Sequence, residues 1–208
     1  MKLPEEFKLF YEWTFVGPMG PNLPSNLLSH PVIAVDGGSR FTDKVDIWLG
    51  DGDSRPSEVN SRHLFRYPSI KSESDLTLSL NLFDEDRPYL FHLWGFLGGR
   101  KDHELFNLGE TLNFLEQRPK AQIFFYDEQG RILFQILGAG EWGLKHLGVF
   151  SIGTLKEQKI KLIGECQYQL IEETLIKPLS SLGLSNEGAG KFSLYNRHPL
   201  FIYYPEGK

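Results

Sequence analysis

A chain of 208 residues, 40% hydrophobic and 24% charged, has the composition of a folded protein with room for one sizeable core or two small ones. Its 27 acidic residues outnumber 22 basic ones, and a formal charge of -5 with no long Lys/Arg stripe argues against a nucleic-acid binder. No stretch is apolar enough to span a membrane, Lys2, Glu5, Glu6 and Lys8 break up any signal-peptide core, and the single Cys166 precludes an intramolecular disulfide, so a cytoplasmic protein with a buried thiol is expected.

Residues 7–16 are aromatic-rich and end in Gly17-Pro18-Met19-Gly20-Pro21, which reads as a first strand and a loop. Two apolar runs follow with one grammar. Pro31-Val32-Ile33-Ala34-Val35 closes on Asp36-Gly37-Gly38-Ser39, and Val45-Asp46-Ile47-Trp48-Leu49 closes on Gly50-Asp51-Gly52-Asp53-Ser54. A buried strand ending in glycine and acid delivers carboxylates to the carboxyl edge of a parallel sheet, where open α/β folds bind ligands. Asp51 and Asp53 can converge on one hard cation such as magnesium, although Gly, Asp and Ser are equally the residues of an ordinary turn. Only residues 39–44 separate Gly38 from Val45, too few for the usual crossover helix.

Leu76, Leu78, Leu80 and Leu82 alternate as in a strand, yet Leu76, Leu80 and Phe83 share one helical face and Ser74 is a suitable N-cap, so a helix is expected there with Asp75 in its first turn. Residues 89–97 form the most aromatic strand candidate and run into Gly98-Gly99-Arg100-Lys101-Asp102-His103. The next segment carries Leu105, Leu108, Leu112 and Leu115 as a helical stripe, with Asp102 as its expected N-cap. Backbone donors at that turn and the fork of Arg100 suit a polyphosphate, without P-loop spacing; a plain tight turn is the alternative.

Ile123-Phe124-Phe125-Tyr126 reads as the last strand of this sheet and residues 127–130 as a turn. Short strand candidates then follow at 132–137, 147–152, 160–163, 168–171, 192–195 and 200–204. The expectation is an α/β domain with a mostly parallel sheet over residues 1–128, followed by a small all-β sandwich over 129–208. Trp48, Trp94 and Trp142 read as core, Trp13 is unassigned, and His63, His92, His146 and His198 show no metal-ligand spacing. The polar stretch 180–188 reads by itself as a loop between sandwich strands.

Taken in order, Asp36-Gly37-Gly38, Gly50-Asp51-Gly52-Asp53-Ser54, Ser74-Asp75, Gly98-Gly99-Arg100-Lys101-Asp102-His103 with Asn107-Leu108, and Ser180-Ser181-Leu182-Gly183-Leu184-Ser185-Asn186-Glu187 resemble the blocks of thiamine pyrophosphokinases. The resemblance implies transfer of pyrophosphate from ATP to the hydroxyl of thiamine, releasing AMP, by a homodimer whose thiamine sites lie between one chain's catalytic domain and its partner's sandwich. It further implies magnesium on Asp51, Asp53 and Asp75, and catalytic roles for Asp53, Asp75, Arg100 and Asp102. ATP would meet Asp36, Gly37, Gly50, Ser54, Gly99, Arg100 and His103. The organic substrate would meet Asp75, Asp102, Asn107, Ser185 and Asn186.

The chain departs from that family at three places. Gly52 stands where a large residue is usual between the two acids, Ser72 replaces the first acid of an Asp-x-Thr-Asp pattern, and a helix is missing between Gly38 and Val45. A mobile acidic loop is therefore expected. The alternatives are pyrophosphorylation of another hydroxyalkyl heterocycle, such as a pterin, and a catalytically silent nucleotide- or thiamine-binding protein.

Overall fold

A computed structural model of the chain describes residues 2–53 and 60–208. In chain order its regular elements are β1 (Glu12–Val16), β2 (Val32–Val35), β3 (Val45–Gly50), β4 (Ser61–Arg66), α1 (Asp75–Leu80), β5 (Leu90–Trp94), α2 (Lys101–Glu116), β6 (Gln122–Tyr126), β7 (Ile132–Leu137), β8 (Gly140–Gly153), β9 (Gln158–Cys166), β10 (Leu170–Ile176), β11 (Asn186–Asn196) and β12 (Leu200–Tyr203). The β2 and β3 runs are buried at every position, as strands covered on both faces must be. By contrast β11 alternates buried and exposed residues along its length, the mark of a sheet with one wet face.

All strands join one mixed sheet in the order β10-β9-β11-β8-β12-β7-β6-β5-β1-β2-β3-β4. Pairing is parallel from β4 through β3, β2, β1 and β5 to β6, and antiparallel beyond. The tail expected as a small all-β sandwich is thus joined to the parallel strands through one sheet, of which only the half from β4 to β6 is parallel. The agent is the 14-residue β8, whose first part pairs with β11 and whose last three residues pair with β12, while β12 pairs in turn with β7. A core of Phe150, Ile152, Leu162, Leu194, Ile202 and Tyr204 draws on both parts, so this half of the sheet closes over its own apolar face.

The helical content is smaller than an α/β reading implies. Among the described residues only α1 and α2 are α-helical, and their Leu76, Leu80, Leu112 and Leu115 share one core with Phe15 of β1 and Phe91 of β5. Ser74 caps α1 as expected, accepting from Thr77 N–H at 3.0 Å. The leucine stripe of α2 starts a turn late, since Leu105 is exposed while Leu112 and Leu115 are buried. Trp13 is fully buried, edge-on to Phe83 at 5.0 Å. No helix among the described residues is long and apolar enough to cross a membrane.

The short β2–β3 connection is resolved by a 3₁₀ turn, Asp36–Arg40, in place of a helix. This turn passes against the end of β1 so closely that a Cβ on Gly38 would sit 1.8 Å from the Val16 carbonyl oxygen. Replacing Gly38 by Ala must push two central parallel strands apart, and a loss of about 1–3 kcal/mol in unfolding free energy is expected. Urea unfolding with an unchanged m-value is the check; wild-type stability in the variant would mean that the contact is easily relieved.

Candidate active site

Strand β1 is the point where the chain reverses its direction of travel across the sheet, with β2, β3 and β4 added on one side and β5 and β6 on the other. The segments leaving β1 and β5 are tied together by Gly17 N–H to the Trp94 carbonyl at 2.7 Å and Met19 N–H to the Gly95 carbonyl at 3.0 Å. A crevice of about 410 Å³ opens there, walled by Met19 and Asp36 from the strand ends, Lys71 and Asp75 at the start of α1, and Arg100, His103 and Asn107 after β5. That is the size and the topological position of a small-ligand site.

On the β2–β3 side the structure brings carboxylate oxygens of Asp36, Asp51 and Asp53 within 4.8 Å of one another. Asp36 adopts φ 51°, and its main-chain carbonyl is anchored by Trp48 Nε1 at 3.0 Å. Its Oδ1 is buried without a hydrogen-bond partner. Burial, with the charges of Asp75, Asp51 and Asp53 adding to it, pushes the Asp36 carboxyl above the ordinary range, opposed by a bond from the Gly37 backbone. Asp51 goes the other way, held below its ordinary range chiefly by Asp53 N–H, which donates to Oδ1 at 3.0 Å. Three acids around an orphaned buried oxygen are a donor set that fits a hard divalent cation.

Asp75 stands beside this trio. Its Oδ1 lies 3.0 Å from Lys71 Nζ, and the Lys71 side chain is only 17% exposed. The sequence gives no signal for Lys71 beyond its i,i+4 spacing from Asp75. At Gly52, Arg66 Nε donates to the Asp51 carbonyl at 2.9 Å, and its guanidinium lies 2.9 Å from where a Gly52 Cβ would be. With φ 91°, Gly52 is the residue that lets Arg66 brace the acids. Gly50 has a similar constraint, its Cβ position being 3.0 Å from Asp36 Cα, and Gly37 is buried. Ser54 lies outside the described residues.

Across the crevice, Gly98 and Gly99 take φ 92° and 78°, and Met19 Cε occupies the space a Gly99 side chain would need. Asp102 is not the N-cap of α2. That position is Arg100, and Asp102 sits in the first turn with its carboxylate held by the Arg100 guanidinium, Nε at 3.1 Å and Nη2 closer, which takes the Asp102 carboxyl down to about 2. Both are substantially exposed at the mouth. Glu104 reaches back to Gly98 N–H at 2.6 Å, so one of the backbone donors expected to serve an anion is already occupied. Asn107 Nδ2 donates to the Phe96 carbonyl at 2.9 Å and thereby shapes the wall it lines.

Ser185 and Asn186 are not brought to this crevice. They line a second cavity of about 660 Å³ with Gln167, Tyr168, Leu182 and Leu184, and four strands separate β11 from β5 in the sheet. Asn186 is buried, and its amide clamps Tyr168, accepting from its N–H at 3.0 Å and donating to its carbonyl at 2.7 Å. Ser185 has φ 53°, with its N–H bonded to Ser151 Oγ at 3.0 Å.

No family profile and no curated protein matches the sequence. Solved structures do match in fold. Thiamine pyrophosphokinase from Bacillus subtilis superposes with a TM-score of 0.68 at 19% identity, over 92% of this chain and 97% of that one. Thiamin pyrophosphokinase from Candida albicans gives 0.69 at 15% identity, over 92% and 88%. The yeast enzyme gives 0.64 at 12% identity, over 97% and 89%. The chain therefore shares the fold of the thiamine pyrophosphokinases along nearly its whole length.

The crowding around Asp36 has a thermodynamic signature. A carboxyl whose folded-state pKa is raised binds its proton more tightly in the native state, so the stability linked to it is present at low pH and lost as pH rises through the folded value. Asp36→Asn should therefore raise the metal-free melting temperature at neutral pH, and the gain should vanish in acid. If added magnesium raises the wild-type melting temperature, the same variant should lose that rise. A gain that is equal at all pH values would assign it to the tolerance of Asn for positive φ and not to charge.

Proposed function

We propose that the chain is a magnesium-dependent pyrophosphokinase that transfers the terminal pyrophosphate of ATP to the hydroxyl of thiamine, giving thiamine pyrophosphate and AMP. The observation that carries this reading is the convergence of Asp36, Asp75, Lys71 and Arg100 on one crevice at the sheet's switch point, beside Asp51 and Asp53. The fold it shares with thiamine pyrophosphokinases points the same way.

Transfer of this kind needs in-line positioning and neutralised charge, with no covalent intermediate. The substrate hydroxyl oxygen bonds to the β-phosphorus, the bond from that phosphorus to the oxygen bridging the α-phosphorus breaks, and AMP leaves with that oxygen. Asp36, Asp51 and Asp53 hold the magnesium, which when bound offsets phosphate charge. Lys71 supplies a fixed positive charge inside the crevice and Arg100 a planar fork at its mouth. Asp75 is the wall carboxylate assigned to take the hydroxyl proton. His103 and Gly99 border the nucleotide, and Asn107 and Asp102 keep the loop after β5 in shape.

In this proposal the pocket for the substrate ring is completed by the Ser185-Asn186 segment of a second copy of the chain. Leu182 and Leu184 are exposed at the rim of their cavity, where a partner surface would cover them. A two-fold interface then builds two equivalent sites.

Purified protein with ATP, magnesium and thiamine should yield AMP and thiamine pyrophosphate in equal amounts, and a hydroxymethyl pterin run alongside should not react. Product from the pterin alone would move the assignment to the rival substrate, and no product from either would leave a binding protein. Mixing inactive Asp53→Asn chains with inactive Asn186→Ala chains should restore activity, because some mixed dimers contain one intact composite site. Persistent inactivity despite demonstrated chain exchange would mean that each chain closes its own crevice.

A further inference from the structure

Toward the amino-terminal edge of the parallel strands, away from the crevice, the fold assembles a group that spacing along the chain conceals. Glu12 opens β1, His92 lies within β5, and His30 closes the segment leading into β2. His92 Nε2 is 2.9 Å from Glu12 Oε1, and His30 Nε2 is 3.2 Å from the same oxygen. The three donor atoms all lie within 4.8 Å of one another. We propose that Glu12, His30 and His92 form a binding site for a divalent transition metal of the zinc class, distinct from the magnesium-binding acids of the crevice.

The donor chemistry separates the two sites. Two imidazoles and one carboxylate are a ligand set for zinc, whereas three carboxylates favour magnesium. Three protein ligands also leave one coordination position for water or an exogenous donor. Around the site the fold supplies the outer partners that such ligands need. His92 Nδ1 is 2.8 Å from the Tyr126 hydroxyl, so the ring nitrogen not facing Glu12 is already oriented. Burial pushes the Tyr126 phenol up to about 12, and the charge of Glu12 adds to this, so the hydroxyl keeps its proton.

The main chain that carries His30 is equally held. Lys44 Nζ donates to the Leu28 and His30 carbonyls at 2.8 and 2.7 Å, Thr14 Oγ1 to the Leu27 carbonyl at 2.8 Å, and Val32 N–H to Asp46 Oδ2 at 2.9 Å. What has to move is a ring. His30 and His92 are stacked with 17° between their planes, so in-plane ligation turns His30, the more exposed of the two, and releases its 3.1 Å contact with Ser29 Oγ. His92 stays fixed against Phe124, stacked at 5.5 Å. A metal there would pin β1, β5 and the segment that joins β1 to β2.

The test is calorimetric titration of the whole chain with zinc in saturating magnesium, with the cobalt absorption spectrum as a report on nitrogen ligation. Wild type should bind one zinc per chain and melt at a higher temperature when loaded. His30→Ala and Glu12→Gln should each weaken binding by more than about tenfold, and Tyr126→Phe by about 10- to 100-fold, while Asp51→Asn binds as wild type. Circular dichroism checks that each variant is folded, and His30→Ala, at a partly exposed position, keeps the test open if changes nearer the core unfold. No zinc binding by wild type, or binding that survives both His30→Ala and Glu12→Gln, would reduce the group to a carboxylate hydrogen-bonded between two histidines and overturn the proposal.

Discussion

The passage of the turn Asp36–Arg40 against the end of β1 is the constraint on which the candidate site depends. A residue with a side chain at position 38 cannot stand against the Val16 carbonyl, and without that approach β2 and β3 could not be joined in parallel register by so short a link. The same turn carries Asp36 into the left-handed region and points the chain so that its carboxylate meets those of Asp51 and Asp53. The start of the 3₁₀ turn forms one wall of the crevice.

That wall is electrostatically expensive in the absence of a cation. Asp36 is half-buried among like charges and has a buried oxygen without a donor, while its neighbours answer with local devices: the turn that gives Asp51 the Asp53 N–H, Arg66 laid over Gly52, and Lys71 against Asp75. The opposite wall is charge-balanced within itself, since Arg100 already holds Asp102 and Glu104 already holds the glycine turn. An incoming polyphosphate would thus compete for Arg100 at the mouth and find Lys71 inside. This asymmetry between a strained acidic wall and a satisfied basic one is the pattern of a site that stability alone would not select.

The sheet has two chemically different ends. Its carboxyl end gathers carboxylates from turns, and its amino end gathers imidazoles and a glutamate from β1, β5 and the segment before β2. Beyond β6 the strands reverse, and the long β8 carries the sheet into a second core that holds Ser185 and Asn186 well apart from the crevice.

Much of this was legible in the sequence because it depends on neighbours. Strands ending in Asp-Gly or Gly-Asp, the Ser74 cap and the aromatic run into Gly98-Gly99 are local patterns, set by burial on two faces, by side-chain-to-backbone bonds and by the freedom of glycine. The order of blocks resembling thiamine pyrophosphokinases was readable too, and the fold bears the same likeness. What the sequence could not reveal depends on the three-dimensional path of the chain, even between residues only a few positions apart. Nothing local says that Glu104 and not Asp102 would reach back to the turn before α2, that Arg66 would stiffen a glycine fourteen residues earlier, or that Lys71 would lie inside the crevice. Likewise the sandwich could not be told from a continuing sheet, because an edge strand and a shared strand alternate alike, and only pairing decides between them. Glu12, His30 and His92 make the limit plainest: they are scattered in sequence, and parallel register alone brings their donor atoms together.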